Sequence, residues 1–215
     1  MEPLPRPSLR GVSHQIACPL AIAAGAVLVA LAPSARAALA SAVFAASMAL
    51  LFGVSALYHR RTWEPAARAS MRRLDHSMIF VLIAGSYTPI CLLAMRPEEG
   101  LRLLALVWGI AALGMGMTLV WLNAPRLVLV LFYVAMGWVS VGWFGIFART
   151  LGAGGLGLLL ASGAAYTTGA VIYALKRPNP APRTFGYHEI FHALVIMGAG
   201  FHWALVRSIL DLRVR

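Results

Sequence analysis

The apolar residues of this chain are gathered into seven blocks, at roughly 16–32, 37–59, 75–95, 101–122, 126–148, 152–175 and 188–210. Each is close to the ~20 residues that a helix needs to cross about 30 Å of hydrocarbon. The pattern predicts an all-α polytopic membrane protein, a seven-helix transmembrane bundle. Composition agrees, with 60% hydrophobic and only 12% charged residues, where a soluble domain carries about 25% charged residues. In a soluble chain the net charge of +11 would suggest nucleic acid. Here the scarcity of acids reflects how little surface is exposed, and no nucleic-acid partner is expected.

The breaks between blocks are chemically sensible: Pro33-Ser34, the basic run Arg60 to Arg73, Arg96-Pro97-Glu98-Glu99, Asn123-Ala124-Pro125, the cluster Gly152, Gly154 and Gly155, and Lys176-Arg177-Pro178-Asn179-Pro180. None is long enough for an extramembrane domain, so residues 1–215 read as one transmembrane domain. Cys18 and Cys91 lie in different blocks and imply no disulfide framework. The Gly- and Ala-rich sixth block, from Gly152 to Gly169, reads as a surface for close helix packing.

Lys and Arg are enriched in cytoplasmic loops. With the N-terminus inside, the inside set is Arg6, Arg10, Arg60, Arg61, Arg68, Arg72, Arg73, Arg126, Lys176, Arg177 and Arg183. The outside set is Arg36, Arg96, Arg102, Arg149, Arg207, Arg213 and Arg215, so the division is eleven against seven. The expected topology is therefore N-terminus cytoplasmic and C-terminus outside. An Ala35-Arg36-Ala37 sequence after the first block also fits a signal-peptide cleavage site, and cleavage would leave the orientation of the remaining spans unchanged.

Polar residues inside spans are costly and mark function by default. In this topology Ser55 and His59 lie near the cytoplasmic end of the second block, Asp75 opens the third, and His188 and His192 open the seventh. All five arrive at one leaflet. Residues four apart share a helix face, so His188 and His192 can grip one metal ion, with His59 as a third ligand. Three protein nitrogens and an open position is the catalytic zinc pattern, in which bound water has a pKa of about 7. Imidazole also suits copper, iron and nickel. Asp75 would accept a proton or hydrogen bond from that water, and the Ser55 hydroxyl would hold the water or a developing oxyanion. A plainer reading of Asp75 is a first-turn acid favoured by the helix dipole, or a partner of Arg72 or Arg73.

Other polar residues read more simply. His76 lies about 100° round the helix from Asp75 and is expected to meet headgroups or a loop. His202, about 15 Å beyond His192 at 1.5 Å per residue, is too far to share the metal; an outer-leaflet hydrogen bond or a channel role is open to it. Glu189 is expected to pair with Arg60 or Arg183. Ser86, Tyr87, Thr88 and Pro89 mark a proline kink whose freed carbonyls the hydroxyls satisfy. Trp63, Trp108, Trp121, Trp138, Trp143 and Trp203 read as interface-belt residues, and His14 as incidental, preceding the first span.

Ser55-Ala56-Leu57-Tyr58-His59, then Leu74-Asp75-His76-Ser77 through Ile83-Ala84-Gly85-Ser86-Tyr87-Thr88-Pro89, then His188-Glu189-Ile190-Phe191-His192 resemble the hemolysin III branch of the progestin and adipoQ receptor family, which includes the adiponectin receptors. The resemblance covers essentially the whole chain. It implies an inverted seven-helix bundle with zinc near the cytoplasmic leaflet, His59, His188 and His192 as ligands, and Asp75 and Ser55 beside them. It also links the chain to ceramidase-type amide hydrolysis and, through the name, to cytolysis.

The leading expectation is a Zn2+-dependent hydrolase in the cell membrane, acting on a ceramide-like lipid amide or an ester, with membrane lipids as partners. A lipid or membrane-state sensor with structural zinc is the first alternative. A cytolytic pore is the second, disfavoured because the spans offer no polar stripe to line a channel. A transporter is less favoured again, since no charge sits at mid-bilayer.

Overall fold

The computed structural model describes residues 7–121 and 124–212. Arg6, Asn123, Arg213 and Arg215, used above for breaks and topology, lie outside them. Among the described residues, eight α-helices build the seven spans. These are α1 (Val12–Ala30), α2 (Ala35–Arg60), α3 (Pro65–Pro89, prolonged by a π-helical turn at Ile90–Ala94), α4 (Pro97–Val120), α5 (Arg126–Trp138), α6 (Phe144–Thr150), α7 (Gly152–Leu175) and α8 (Tyr187–Leu212). A 3-10 turn at Val139–Trp143 joins α5 and α6 into the single fifth span.

Chain neighbours pack side by side, and α8 closes the ring against α1 while also touching α2. The hydrophobic span of α3 is 72% buried, against 17% for the fifth and sixth spans, so α3 is the central helix and those two face lipid. Small residues set the closest approaches. A Cβ on Gly25 of α1 would lie 2.4 Å from Ala45 Cβ of α2, so the two backbones meet where only hydrogen fits. In α7 the buried positions are Gly155, Ser162, Ala165 and Gly169, one face of the helix; Gly152, Gly154, Gly157 and Gly163 point into open space.

The basic run was expected to be a loop, yet α3 already begins at Pro65. Hydropathy falls there while helix propensity stays high, because Pro65 suits the first helical position and Ala66, Ala67, Arg68 and Ala69 are strong helix formers. Asp75 thus lies ten residues, about 15 Å, into the helix. The first-turn dipole account of it falls.

Two spans are broken, and buried hydroxyls and imidazoles repair both breaks. Pro89 cannot donate to Gly85, and the Ile90 N–H turns to the Tyr87 carbonyl, leaving the Ser86 carbonyl without its helical donor. His202 Nε2 donates to that carbonyl at 2.8 Å. Ser86 and Thr88 donate instead to Leu82 and Ala84, one turn back, so the expected repair of the kink by its own hydroxyls is made from α8. The fifth span, expected unbroken, is interrupted where the Tyr87 hydroxyl enters it. That hydroxyl donates to the Gly137 carbonyl at 2.7 Å and accepts from the Ser140 N–H at 3.1 Å, a side chain inserted into the helical ladder. Trp108 and Trp203 are not belt residues: their indole N–H groups donate inward, to Thr88 Oγ1 at 3.2 Å and the Ala24 carbonyl at 2.8 Å.

Tyr87→Phe removes a donor and an acceptor at a break inside an apolar span and is expected to lower unfolding stability in detergent by about 1–3 kcal/mol. His202→Leu, which orphans the Ser86 carbonyl, is expected to cost a similar amount. Thermal unfolding of the purified variants against wild type measures both.

Candidate metal centre

His59 sits in the last turn of α2, and His188 and His192 occupy successive turns at the start of α8. Ring closure brings these helix ends together. His59 Nε2 and His188 Nε2 lie 3.2 Å apart, and donor atoms of all three residues fall within 4.8 Å of one another. The rings meet edge-on rather than stacked, at 63° to 78° between His188 and its two neighbours.

The donor set fits a metal ion. Metal–nitrogen distances of 2.0–2.1 Å in a tetrahedral site imply nitrogens about 3.3 Å apart, close to the His59–His188 separation. His192 is buried and its Nδ1 has no hydrogen-bond partner among the described residues, an expensive state for an imidazole that binds nothing. Asp75 stands aside, its Oδ2 4.0 Å from His59 Nε2, within reach of a group held at the centre rather than of the ion. Ser55 and Asp75 line one cavity together with His188 and His192. The five residues from three helices therefore form one cluster.

His14 was set aside as incidental, but α1 begins at Val12, so this residue lies within the span. Its ring is buried and stacks on His192, 3.7 Å between centroids and 10° between planes, with both nitrogens unpartnered among the described residues. It packs flat against the His192 ring and limits its rotation. Starting the first block four residues earlier would have flagged it as an ionisable residue inside a span.

Glu189 pairs with Arg10, not with Arg60 or Arg183, and also accepts from the Gly186 N–H at 2.8 Å. This pairing belongs to a strap made by residues 7–11. Ser8 and Leu9 donate backbone bonds to Arg183 and Thr184 in the α7–α8 connection. Gly11 then turns the chain at φ +80°, and a Cβ there would stand 2.6 Å from His59 Cβ. Glycine is required twice over, by backbone conformation and by the His59 side chain behind it.

Two recesses meet at the centre. A polar basin of about 450 Å³ is lined by Arg10, Arg72, Arg73 and Arg126 together with His59. A mostly apolar cavity of about 220 Å³ runs from His14, Ser55 and His192 to His202. Asp75, His76, Leu129, Tyr173 and His188 line both. His76 thus borders the recesses instead of meeting headgroups or a loop, and its carbonyl accepts from the Tyr133 hydroxyl at 3.1 Å.

Fold and site together define an integral multi-pass membrane protein whose helix ends form a three-histidine geometry suited to a metal ion. The chain belongs to the haemolysin-III related family, whose model matches residues 3–203, a branch of the progestin and adipoQ receptor family. It is 32% identical over 191 residues to Hemolysin-3 of Bacillus cereus, covering 87% of this chain and 84% of that protein. To the Hemolysin-3 homolog of Bacillus subtilis (strain 168) it is 31% identical over 157 residues, covering 73% and 70%.

Elemental analysis of the purified protein is expected to find about one transition-metal ion per chain. His59→Ala and His192→Ala should lose it, and Asp75→Ala should keep it. Gly11→Ala, which drives a methyl group into His59, should weaken metal retention without touching a ligand atom.

Proposed function

We propose that this protein is a zinc-dependent hydrolase of lipid amides or esters working near the cytoplasmic leaflet. The observation that carries the reading is a carboxylate 4.0 Å from one of three clustered imidazoles, placed where a polar basin meets an apolar cavity. Three nitrogen donors without a thiolate among them leave a tetrahedral position open, the arrangement of catalytic rather than structural zinc. A bound zinc ion would supply Lewis acidity, polarising a carbonyl and acidifying water at the open position.

The chain's own groups do the rest. Asp75 accepts a proton from the attacking water and returns it to the departing nitrogen or oxygen, which balances the hydrolysis. Ser55, in the same cavity wall as the carboxylate, offers its hydroxyl to the attacking water or to the developing oxyanion. His14 keeps the His192 ring in plane by stacking. The apolar cavity takes the acyl chain and excludes bulk water from the reacting carbonyl. The basin admits water and releases the polar product.

A second reading has its own observation. The three imidazoles come from α2 and α8, helices far apart in sequence, so a bound metal would staple the bundle and serve a lipid sensor without turnover. The relatives' name refers to haemolysis, but here the cavity below the histidines is lined by residues such as Leu82, Ile83, Val130 and Phe147, poor walls for an aqueous pore.

The deciding experiment is turnover of a fluorescent ceramide and of N-acyl and O-acyl lipids by zinc-loaded protein in nanodiscs. The hydrolase reading expects metal-dependent product release. It further expects a loss of 10²–10⁴-fold in kcat for Asp75→Asn and of roughly 10–100-fold for Ser55→Ala, the value of a hydrogen bond to a charged group, with zinc retained in both. Stability that falls on chelation, with no lipid hydrolysed, selects the sensor.

A further inference from the structure

The basin contains more cationic chemistry than a hydrolytic centre needs. Arg10, Arg72, Arg73 and Arg126 line it from α3, α5 and the strap before α1. The facing acids are few: Asp75 lines the basin, and Glu189 is engaged by Arg10. No ion pair joins Arg73 or Arg126 to a carboxylate among the described residues.

A cytoplasmic loop would hold such residues in water, as the topology signal requires. Arg73 and Arg126 are instead half-buried. Arg73 Nε is enclosed and has no hydrogen-bond partner among the described residues, a costly state for a guanidinium donor. Arg126 is held over the Tyr173 ring, 4.9 Å from its centroid, and lies 6.0 Å from that of Tyr187. Stacking of this kind orients the planar fork, whose Nη1 donates to the Tyr173 carbonyl at a long 3.5 Å and whose other donors have no acceptor among the described residues. Trp121, Tyr58 and Tyr187 also line the basin, and such aromatics mark the headgroup level of a bilayer.

We infer that the arginine-lined basin binds the anionic headgroup, of phosphate type, of an amphiphile whose acyl chain occupies the adjoining apolar cavity. A phosphate offers an acceptor to the unpartnered Arg73 Nε and a stronger one to Arg126 than the Tyr173 carbonyl at 3.5 Å, and basic pockets between spans are the usual receptors for anionic headgroups. A lipid is favoured over a free anion because the basin and the cavity share Asp75, His76, Leu129, Tyr173 and His188 as walls. One molecule can therefore fill both, with its head-to-chain linkage beside the histidines. What then happens to that linkage rests on the hydrolase reading, whereas binding does not.

The test measures binding of 1-palmitoyl lysophosphatidate, lysophosphatidylcholine of the same chain, and inorganic phosphate to the metal-loaded protein in detergent. Native mass spectrometry or calorimetry reads affinity, and metal content is measured in parallel. Lysophosphatidate should bind at least tenfold more tightly than the choline lipid and than phosphate. It should weaken tenfold or more in Arg73→Gln and in Arg126→Gln with metal content unchanged, and Arg73→Lys should recover part of the loss. Equal affinity for the two lipids overturns the inference, and so does full affinity in both glutamine variants with metal present, since phosphate would then be held by the metal. Phosphate binding as tightly as lysophosphatidate overturns the lipid as ligand and leaves an anion site. If Arg126→Gln does not fold, Arg73→Gln and the wild-type headgroup ranking decide. Selective binding without hydrolysis of any lipid removes the proposed function and leaves this site standing; hydrolysis without headgroup selectivity does the reverse.

Discussion

Inside a bilayer no water is present to satisfy a backbone group, and this constraint organises the polar interior of the bundle. Pro89 and the 3-10 turn at Val139–Trp143 each leave helical groups without partners. The Tyr87 hydroxyl and the His202 imidazole fill those vacancies. Each repair comes from a different span, so each also ties two spans together: α3 to the fifth span, and α8 to α3. The central position of α3 follows, because it is the helix to which both repairs attach.

The same closure of α8 onto the first spans creates the metal geometry at the other end of the bundle. His192 and His202 belong to one helix and point into one interior, yet they serve opposite needs. His202 is consumed by a carbonyl and is structural. His192 keeps Nδ1 unpartnered among the described residues, with His14 stacked on its face. An imidazole aligned and left unpaired is available for coordination, whereas one already donating has no such freedom. The strap at residues 7–11 closes this end, and the absence of a Cβ at Gly11 is what lets the strap pass behind His59.

Polar and apolar recesses joined at three clustered imidazoles form a shape suited to molecules with a head and a chain. Arginines at the aromatic level and aliphatic side chains below it divide such a molecule at the height of Asp75 and the histidines. Position along the membrane normal thus becomes position relative to the chemistry. An enzyme in water must build that alignment entirely from its own contacts, but a bundle in a bilayer inherits part of it from the lipid.

Much of this was legible in the chain. The seven spans follow from block length alone, and the gathering of Ser55, His59, Asp75, His188 and His192 at one leaflet follows from chain direction in alternate spans. These are one-dimensional properties, fixed by hydrophobic length and helical period. What failed was reading structure from hydropathy where hydropathy and helix propensity part. Pro65 to Arg73 is polar but strongly helical, which moved Asp75 from a helix start to its third turn, and α1 starts earlier than its apolar block, which hid His14. Only the tertiary structure decided that Glu189 takes Arg10, that His14 stacks on His192, and that Arg73 and Arg126 border a basin rather than open water. Those outcomes depend on rotation of each helix about its axis and on which spans touch, and a pattern of apolar lengths carries neither.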